Sequence, residues 1–510
     1  MRNINTINMI RKVLIANRGE IAVRVMRSCR EMGIRSVAVF SEADRTARHV
    51  LYADEAALIG PAASKDSYLD IEKIIRVAKQ HKVDAIHPGY GFLSENADFA
   101  RRCKEEGIIF IGPSAETMEA MGDKISARKR MIAAGVPVVP GTQQPLQDVG
   151  EARRICREIG FPVMLKASMG GGGKGMRLIH CEEEVEEAYN AARSESLSSF
   201  GDDTVYLEKF VEGPHHIEFQ ILGDNHGNVI HLCERECSVQ RRNQKIVEES
   251  PSPFITPDLR QGMGVAAAKA VDYSGAGTIE FLVDKHHNFY FLEMNTRLQV
   301  EHPITEEVLG LDLVKEQLRI ADNEPLHIRQ EDISQRGHAI ECRICAEDTA
   351  NNFMPSPGVI RQLTEPNGIG VRIDSYVYEG YEIPVYYDPM IGKLIVWATS
   401  REYAIERMRR VLHEYKITGL KTNISYLRRI MDIPDFVHGT YDTSFIGKHG
   451  EELQHPVNPG DEHESENIAM IAAYMDYLMN LEENVSGSSA DNRPISRWRE
   501  FGLQKGVLRI

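Results

Sequence analysis

The sequence predicts a mixed α/β and α+β fold with three domains and a C-terminal extension. Strand and helix patterns alternate from about residue 11 to residue 121, which is typical of a parallel sheet covered by helices. A glycine-rich hairpin and several strand pairs follow, and then a smaller region of strands with one amphipathic helix. The predicted domains are residues 9–121, 122–330 and 331–453, and residues 454–510 form a linker and extension.

Length and composition limit the class of protein. The 510 residues suggest about three domains of roughly 100–200 residues each. Apolar residues make up 42% of the chain and charged residues 26%, as in an ordinary soluble protein. The net charge of −15 argues against non-specific binding of nucleic acid. No apolar run approaches the ~20 residues that cross a bilayer.

The N-terminal residues and the cysteines predict a cytoplasmic protein with reduced thiols. The first ten residues lack the apolar core of a secretory signal, and Met9 is an alternative start to Met1. Cys342 and Cys345 form a CxxC pair, but no second Cys or His cluster completes a zinc site.

In the first domain, predicted strands cover residues 13–16, 36–40, 85–87 and 108–111. Predicted helices cover residues 20–31, 71–80 and 97–106. The first strand–helix turn contains a single glycine, Gly19, and therefore lacks the GxGxxG dinucleotide fingerprint. Residues 87–96 (HPGYGFLSEN) follow a strand, where open α/β sheets bind ligands, although a plain Gly/Pro turn is the alternative.

The second domain opens with a glycine loop between predicted strands at residues 163–167 and 176–179. Four glycines, Gly170 to Gly173, suit a mobile flap over phosphate, and no Walker A pattern is present. A flexible hairpin without a ligand is the alternative. Further strands are predicted at residues 205–210, 216–221 and 229–234, and a helix at residues 257–271.

A basic segment lies between the last of these strands and the helix. Arg241, Arg242 and Lys245 are close together in an acidic chain, which suits a small anion. The alternative is a solvated loop in which these cations pair with Glu248 and Glu249. On the strand predicted at residues 216–221, His216, Glu218 and Gln220 are expected to share one face.

Residues 278–303 are predicted to form two strands joined by the loop at residues 285–288. If Asp284 pairs with Phe289, then Glu280 lies opposite Glu293, and the two carboxylates repel unless a cation separates them. If the second strand stays extended, it places a metal and anion site on one face. The residues of that face are Glu293, Asn295, Arg297, Gln299 and Glu301. A solvated edge strand is the alternative.

The third domain is a smaller α+β unit. Residues 338–348 are strand-like and are predicted to place Arg343 in an apolar setting, residues 374–387 form strands and turns, and residues 401–415 form an amphipathic helix. In the extension, residues 468–481 are apolar enough for one helix, and Trp498 and Phe501 lie beyond it.

Eight motifs give the chain from about Arg11 to Leu453 a resemblance to biotin carboxylase, a family of ATP-grasp enzymes. They are KVLIANRGEIAVR, HPGYGFLSEN, MGDKISA, GGGGKGMR, QRRNQKIVEE, FLEMNTRLQVEHPITE, ECRICAED and YYDPMIGKL. The resemblance implies a Rossmann-like N-terminal domain, an ATP-grasp domain with a mobile glycine flap and a C-terminal α+β domain. It implies that ATP phosphorylates bicarbonate to carboxyphosphate, whose carbon dioxide then carboxylates N1 of biotin.

The resemblance also implies roles for individual residues. Mg²⁺, with Mn²⁺ possible, is expected at Glu280, Glu293 and Asn295. Contacts with ATP are expected from Lys124, Lys166, Gly172, Gly173, Glu208, Lys209, Val211, His216 and Asn243. Bicarbonate is expected at Lys245, Arg297, Gln299 and the backbone of Val300, with Glu301 as the base and Arg343 stabilising charge on biotin. The chain departs from the family at Asn243 (usually histidine), Lys174 (often arginine) and Cys345 (usually asparagine).

The sequence contains no Ala-Met-Lys-Met motif and no carboxyltransferase region. The resemblance therefore implies that the biotin carboxyl carrier protein and the carboxyltransferase are separate chains, and it suggests a homodimer that binds neither nucleic acid nor membrane. The expected acceptor is acetyl-CoA, as in fatty acid biosynthesis, or propionyl-CoA, with pyruvate as a further option. The extension is hypothesised to dock a partner.

Two other functions remain as alternatives. One is another ATP-grasp carboxylate–amine ligase or a carbamoyl-phosphate-type enzyme, which shares the glycine flap and the paired acids. It does not predict Arg343 or the spacing between Arg297 and Glu301. The other is a nucleotide-binding regulatory subunit, which would be expected to lack Glu301, Lys245 or Arg297.

Overall fold

The computed structural model describes residues 10–142, 144–168, 175–269, 273–454, 469–475 and 477. The chain divides into two compact units, residues 1–450 and residues 451–510. The predicted flap with Gly172 and Gly173, the alternative start Met9, and Trp498 and Phe501 lie outside the described residues. Across the described ranges, every helix is too short or too polar to cross a membrane.

The N-terminal region contains a five-stranded parallel sheet, as the alternation of strands and helices predicts, in the order β3-β2-β1-β4-β5. Its elements are β1 (Lys12–Ile15), α1 (Gly19–Glu31), β2 (Arg35–Ser41), α2 (Arg48–Tyr52), β3 (Glu55–Gly60), α3 (Ile71–Gln80), β4 (Ala85–His87), α4 (Ala97–Glu105), β5 (Ile109–Phe110) and α5 (Ala115–Gly122).

Both faces of this sheet are buried. Val13 and Ile15 of β1 pack into one apolar cluster with α1, whereas Leu14 packs into a second cluster with α3 and α4. Successive side chains of a strand point to opposite faces, so helices are needed on both sides of the sheet. The sequence analysis did not predict β3, an edge strand that is only partly buried and leaves Leu58 exposed.

A small antiparallel sheet in the order β7-β6-β8 follows, covered by helices α7 and α8. The elements of this region are α6 (Lys124–Ala133), α7 (Val149–Ile159), β6 (Val163–Ala167), β7 (Arg177–Ile179), α8 (Val185–Phe200) and β8 (Val205–Lys209). The strands β6 and β7 flank the glycine loop, as predicted.

The largest sheet of the fold is antiparallel and has eight strands in the order β13-β12-β9-β10-β11-β14-β21-β19, in which β19 is Val371–Ser375 and β21 is Met390–Ala398. Its first part and the adjoining helices are β9 (His215–Gly223), β10 (Val229–Arg241), β11 (Gln244–Ser250), α9 (Pro257–Lys269), β12 (Gly275–Val283), β13 (Phe289–Asn295), α10 (His302–Leu309), α11 (Leu313–Ala321) and β14 (His338–Cys345).

The remaining elements of the first unit follow β14. They are β15 (Glu347–Asp348), β16 (Met354–Pro355), β17 (Gly358–Val359), β18 (Gln362–Thr364), β19 (Val371–Ser375), β20 (Glu382–Ile383), β21 (Met390–Ala398), α12 (Arg401–Glu414), β22 (Lys416–Thr418), α13 (Ile424–Ile430), α14 (Pro434–His438) and α15 (Phe445–Lys448). Because β11 pairs with β14, one sheet runs through both the second and the third predicted domains. This continuity lets side chains from residues 215–301 and 338–398 meet on one sheet.

The basic segment after residue 237 is a hairpin, so the predicted alternative of a solvated loop is wrong. Strand β10 ends at Arg241 and β11 begins at Gln244. The two residues between them, Arg242 and Asn243, form the turn. Both turn residues have positive φ, 50° and 62°, which matches a tight two-residue hairpin. Glu248 and Glu249 are buried strand residues and not surface partners of the turn.

Helix α16 (Gly450–Gln454) begins at the end of the first unit, and the second unit also contains the described part of the predicted helix at residues 468–481. Residues 469–475 and 477 are helical. The large apolar side chains of this segment that are exposed are Met470, Ile471, Tyr474 and Tyr477.

Candidate active site

Glu280 of β12 lies directly opposite Glu293 of β13, as predicted. The predicted pairing at the loop is wrong by one residue, because Phe289 pairs with Val283 and not with Asp284. An irregularity between Phe281 and Glu280 restores the opposition of the two acids. The hairpin therefore presents two carboxylates on one face, although its register differs from a regular ladder.

Lys245 is the cation at the centre of the site. Its ammonium forms ion pairs with Glu218, with Glu301 over 2.6 Å and with Glu280 over 3.3 Å. We call these four residues the Lys245 cluster. Burial lowers the pKa of Lys245, but the three carboxylates outweigh burial and raise it well above its ordinary value. Lys245 is second in β11, so the β10–β11 hairpin delivers its charge to the acids of β9 and β12.

His216 and Glu218 share a face of β9, as predicted. His216 Nε2 lies 2.9 Å from Glu280 and 3.2 Å from Glu218. Burial opposes the charge of His216, but Glu280 and Glu218 raise its pKa to about 10. These three side chains are close enough to share one ion. At neutral pH, however, the protonated imidazole is a counterion to Glu280 and not a ligand.

The strand β13 ends at Asn295, so the predicted extended face from Glu293 to Glu301 is wrong beyond that residue. The chain turns because Leu298 is buried in the core and α10 begins at His302. The turn nevertheless keeps the predicted side chains at the site. Asn295 Nδ2 and Gln299 Nε2 donate to the same oxygen of Glu280, over 2.7 Å and 2.8 Å.

Arg297 connects this turn to the N-terminal region. Its Nε donates to Glu95 over 2.8 Å, and its Nη2 donates to Asn295 Oδ1 over 2.9 Å. Glu95 belongs to the segment HPGYGFLSEN, which the sequence singled out as a candidate ligand loop. The guanidinium therefore bridges that loop and the acidic hairpin.

Glu301 and Arg343 are in direct contact. Arg343 Nη2 donates to Glu301 Oε2 over 3.0 Å, while Arg343 Nε donates to Glu248 over 2.6 Å. The predicted apolar setting of Arg343 is therefore wrong, since carboxylates from β11 and the turn before α10 hold it. Burial raises the pKa of Glu301, but Lys245 and Arg343 outweigh it and keep the pKa below its ordinary value. Glu301 is thus ionised at neutral pH, as a general base requires.

A second polar cluster lies on the small sheet. Glu208 of β8 accepts hydrogen bonds from Arg128 over 2.7 Å and from Lys166 over 2.5 Å. Lys124, the first residue of α6, lies 3.5 Å from Glu293 and so connects α6 with the acidic hairpin. The structure brings together the predicted residues Lys166 and Glu208, and separately Lys124 and Glu293.

Two predicted contacts are placed differently. Lys209 donates to the carbonyl oxygens of Gly160 and Phe161, on the side of β8 opposite Glu208. Only its backbone can therefore face the cluster around Glu208. Val211 follows the end of β8 and is half-buried.

Comparisons with known families agree with this geometry. Residues 9–118 match the model "Biotin carboxylase, N-terminal domain" and residues 341–448 match "Biotin carboxylase C-terminal domain". Residues 123–329 match "Carbamoyl-phosphate synthase L chain, ATP binding domain". The chain belongs to the biotin carboxylase family. It is therefore an ATP-dependent ligase whose reaction is the carboxylation of biotin.

Curated relatives cover almost the same part of the chain. The biotin carboxylase of Nostoc sp. is 56% identical over 438 residues, which are 85% of this chain and 98% of the relative. Biotin carboxylase 1 of Bacillus subtilis is 53% identical over 442 residues, which are 86% of this chain and 98% of the relative.

Solved structures of biotin carboxylases share the fold. One is the biotin carboxylase domain dimer of Hydrogenobacter thermophilus 2-oxoglutarate carboxylase with MgADP, ADP and bicarbonate. It has a TM-score of 0.85 and 51% identity, and the match covers 88% of this chain and 100% of that one. Another is a β,γ-ATP complex of the Campylobacter jejuni biotin carboxylase, with a TM-score of 0.85, 48% identity, and coverage of 86% and 99%.

The asparagine at position 243, where the family usually has histidine, suits the backbone conformation of this biotin carboxylase. Asn243 is exposed in the turn between β10 and β11, with a φ of 62°. Asparagine tolerates this left-handed conformation better than most residues do. The substitution therefore suits the turn that positions Lys245 two residues later.

Sequence reasoning missed three charged residues that hold the site together. Glu218 pairs with Lys245, and the shared face of β9 was the signal that could have identified it. Arg235 is fully buried and donates to Glu218 over 3.1 Å and to Gln299 over 2.5 Å. Glu248 orients Arg343. For Arg235 and Glu248 no local pattern marks a site, because their partners are distant in sequence.

Proposed function

We propose that this site activates bicarbonate with ATP and carboxylates biotin that a separate carrier protein presents. The observation that carries the proposal is the buried connection from Lys245 through Glu301 to Arg343, made by contacts of 2.6 Å and 3.0 Å. It joins an anion-binding cation, an ionised base and a second cation in one place. Neither a carboxylate–amine ligase nor a regulatory subunit requires this combination.

Cationic and amide donors suit a small oxyanion. The oxygens of bicarbonate are therefore proposed to be held by Lys245, Arg297, Gln299 and the backbone of Val300. Glu301 takes the proton of bicarbonate, and an oxygen of bicarbonate then bonds to the γ-phosphorus of ATP as ADP leaves. The carboxyphosphate formed breaks into carbon dioxide and phosphate. The phosphate takes the proton of biotin N1, and N1 then bonds to the carbon of carbon dioxide. Arg343 stabilises the negative charge that develops on the ureido oxygen of biotin.

The donor set of the hairpin fits magnesium. Two opposed carboxylates, Glu280 and Glu293, offer the hard oxygen ligands that Mg²⁺ prefers. Asn295 donates to Glu280 in this structure, so it serves as a ligand only if its amide turns. When bound, magnesium or manganese would neutralise phosphate charge. The opposed acids would hold the ion, and Lys124 beside Glu293 adds a further positive charge.

ATP is proposed to lie between the acidic hairpin and the small sheet. Lys124 and Lys166 supply positive charge for its phosphates, and Glu208 holds Lys166 in place over 2.5 Å. His216, the backbone at Lys209 and Val211, and Asn243 are proposed as further contacts. Gly172 and Gly173, which lie outside the described residues, stay predicted contacts with the phosphates.

The carrier protein and the carboxyltransferase are proposed to be separate chains. The Nostoc relative, named biotin carboxylase, matches this chain over 98% of its own length, which supports a separate catalytic subunit. The dimer of the Hydrogenobacter domain supports a homodimer. Acetyl-CoA or propionyl-CoA is the proposed acceptor, with the extension docking the transferase. The exposed side chains of Met470, Ile471, Tyr474 and Tyr477 support this role of the extension.

ADP release tests the proposal. The purified chain with Mg²⁺ and ATP should release ADP in response to bicarbonate, and free biotin should become carboxylated. Under the ligase alternative, an amine or amino acid would replace biotin as the stimulating substrate. ATP binding with no turnover under any of these conditions would instead favour the regulatory subunit.

A further inference from the structure

Lys393 is a buried lysine whose ammonium reaches the turn that carries the proposed base. It belongs to β21, where it pairs with Arg343 of β14 and with Asp374 of β19. Its side chain is fully buried. Nζ donates to the carbonyl oxygen of Val300 over 2.9 Å. A strand of the C-terminal region therefore contacts the peptide bond immediately before Glu301.

The surroundings of Lys393 compensate its charge. Nζ lies 3.4 Å from Glu20 Oε1 and 3.9 Å from Asp374 Oδ2, and 5.9 Å from the centre of the Tyr90 ring. Glu20 is the second residue of α1, so one ammonium joins the N-terminal region, the turn and the C-terminal region. A lysine without such partners would be very costly to bury.

The hydrogen bond from Lys393 to Val300 fixes the position of the Glu301 backbone. A peptide group is planar, so holding the carbonyl oxygen of Val300 also holds the nitrogen and Cα of Glu301. The segment from Thr296 to Glu301 lies outside any helix or strand, and regular backbone pairing does not fix it. A charge-assisted bond from a fully buried donor is a strong constraint on such a segment.

We propose that Lys393 is a positioning residue for bicarbonate activation, which sets the geometry of the Val300–Glu301 peptide and thereby of the proposed base. The inference rests on the proposed roles of Val300 and Glu301. Lys393 touches neither bicarbonate nor ATP in this scheme. Its loss should therefore affect the use of bicarbonate and leave the affinity for ATP unchanged.

The test uses the full chain and the rate of ADP release. The variant Lys393→Met keeps a long unbranched side chain but loses the donor. Its kcat should fall by roughly 10- to 100-fold, since small misplacements of a catalytic group have effects of this size. The KM for bicarbonate should rise, whereas the KM for ATP should match the parent. Parent-like kcat and bicarbonate KM would overturn the inference.

A double variant separates positioning from stability. The variant that combines Lys393→Met with Glu20→Gln removes both charges of the ion pair between these residues. Much of the stability lost in the single variant should therefore return. Activity should stay low, because the bond to Val300 is still missing. Recovery of activity together with stability would show a purely structural role and overturn the inference.

Arg401→Met is a matched control. Arg401 is a largely buried cation, with 13% of its side chain exposed, that donates to the backbone carbonyls of Phe436 and Val437 and pairs with a buried acid, Glu249. Its hydrogen bonds within the described part of the chain involve none of the proposed site residues. The control should lose stability and keep the bicarbonate KM of the parent; a raised bicarbonate KM would show that any buried cation has this effect and would overturn the inference.

If the Met variants do not fold, the single variant Glu20→Gln tests the positioning role of Lys393. It keeps the bond from Lys393 to Val300 and should keep the bicarbonate KM, and a large rise would contradict the inference. Failure of the proposed function is distinguishable throughout, because the unmodified chain would then show no bicarbonate-dependent release of ADP.

Discussion

Arg343 Nη2 donates to Glu301 Oε2 over 3.0 Å, so the proposed stabiliser of biotin and the proposed base touch each other. The same guanidinium is held from the other side by Glu248. Lys245 and Arg343 outweigh burial and keep the pKa of Glu301 below its ordinary value, so the proposed base stays ionised beside the proposed biotin-stabilising cation.

Glu301→Gln should bind ATP and lose biotin carboxylation. The amide has nearly the shape of the carboxylate but cannot take the proton of bicarbonate, so the rate should fall by roughly 10²–10³-fold. Binding of ATP is measured by calorimetry and carboxylation with labelled bicarbonate and free biotin. Near-normal turnover would refute the role of Glu301 as base.

Glu248→Gln should weaken the biotin half of the reaction more than the bicarbonate half. The carboxylate that accepts from Arg343 Nε becomes a neutral amide, and the guanidinium is held less firmly. We expect biotin carboxylation to fall by about 10-fold, because positioned charges carry much of catalysis. Biotin-independent release of ADP should change less. An equal fall in both activities would argue against this division.

Removal of divalent metal with a chelator should stop ADP release, and added Mg²⁺ should restore it. Glu280→Gln should raise the Mg²⁺ concentration for half-maximal activity by about 10-fold or more, because one of two opposed carboxylate ligands is lost. Glu293→Gln should act in the same direction. An unchanged Mg²⁺ dependence in both variants would exclude the hairpin as the metal site.

The acid stability of the fold should depend on Glu249. Burial raises its pKa, but Arg401 and His338 outweigh burial and lower it from 4.5 to about 2. Because the pKa of Glu249 is lower in the folded than in the unfolded chain, its ionised carboxylate contributes to the free energy of unfolding above about pH 4.5. This stabilisation is lost as the pH falls towards 2. In Arg401→Met, unfolding followed by circular dichroism should begin at higher pH. An unchanged acid transition would contradict this assignment.

Truncation after residue 454 should abolish binding of the transferase while carboxylation of free biotin persists. The proposed reason is that the exposed apolar side chains of residues 469–477 contact the partner. Replacing Met470 and Tyr474 by serine in the full chain should weaken binding in the same direction. Unchanged complex formation after truncation would refute a docking role for the extension.

The sequence alone predicted four of the five strands of the parallel sheet, the β12–β13 hairpin and most of the residue types at the site, but not helices such as α7, α8, α10 and α11. Helix α3 and strand β4 have the predicted bounds, because each shows a clear local pattern of apolar residues. Such inferences succeed because side chains within one element are spaced by the geometry of its own backbone. The opposition of Glu280 and Glu293 was predicted from a loop pairing that is wrong by one residue, and the irregularity beside Glu280 restores it.

Only the tertiary structure decided how distant segments meet. The packing of the whole sheet determines three features of the site. They are the irregularity beside Glu280, the turn after Asn295 and the pairing of β11 with β14. Arg343 meets Glu248 across 95 residues of sequence, and Lys393 meets Val300 across 93. No local periodicity specifies such contacts, because they form only when apolar packing brings distant segments together, and each charge buried in this way then requires a partner. The two acids were therefore visible in the sequence, and their neighbours Lys245 and His216 became counterions only in the folded chain.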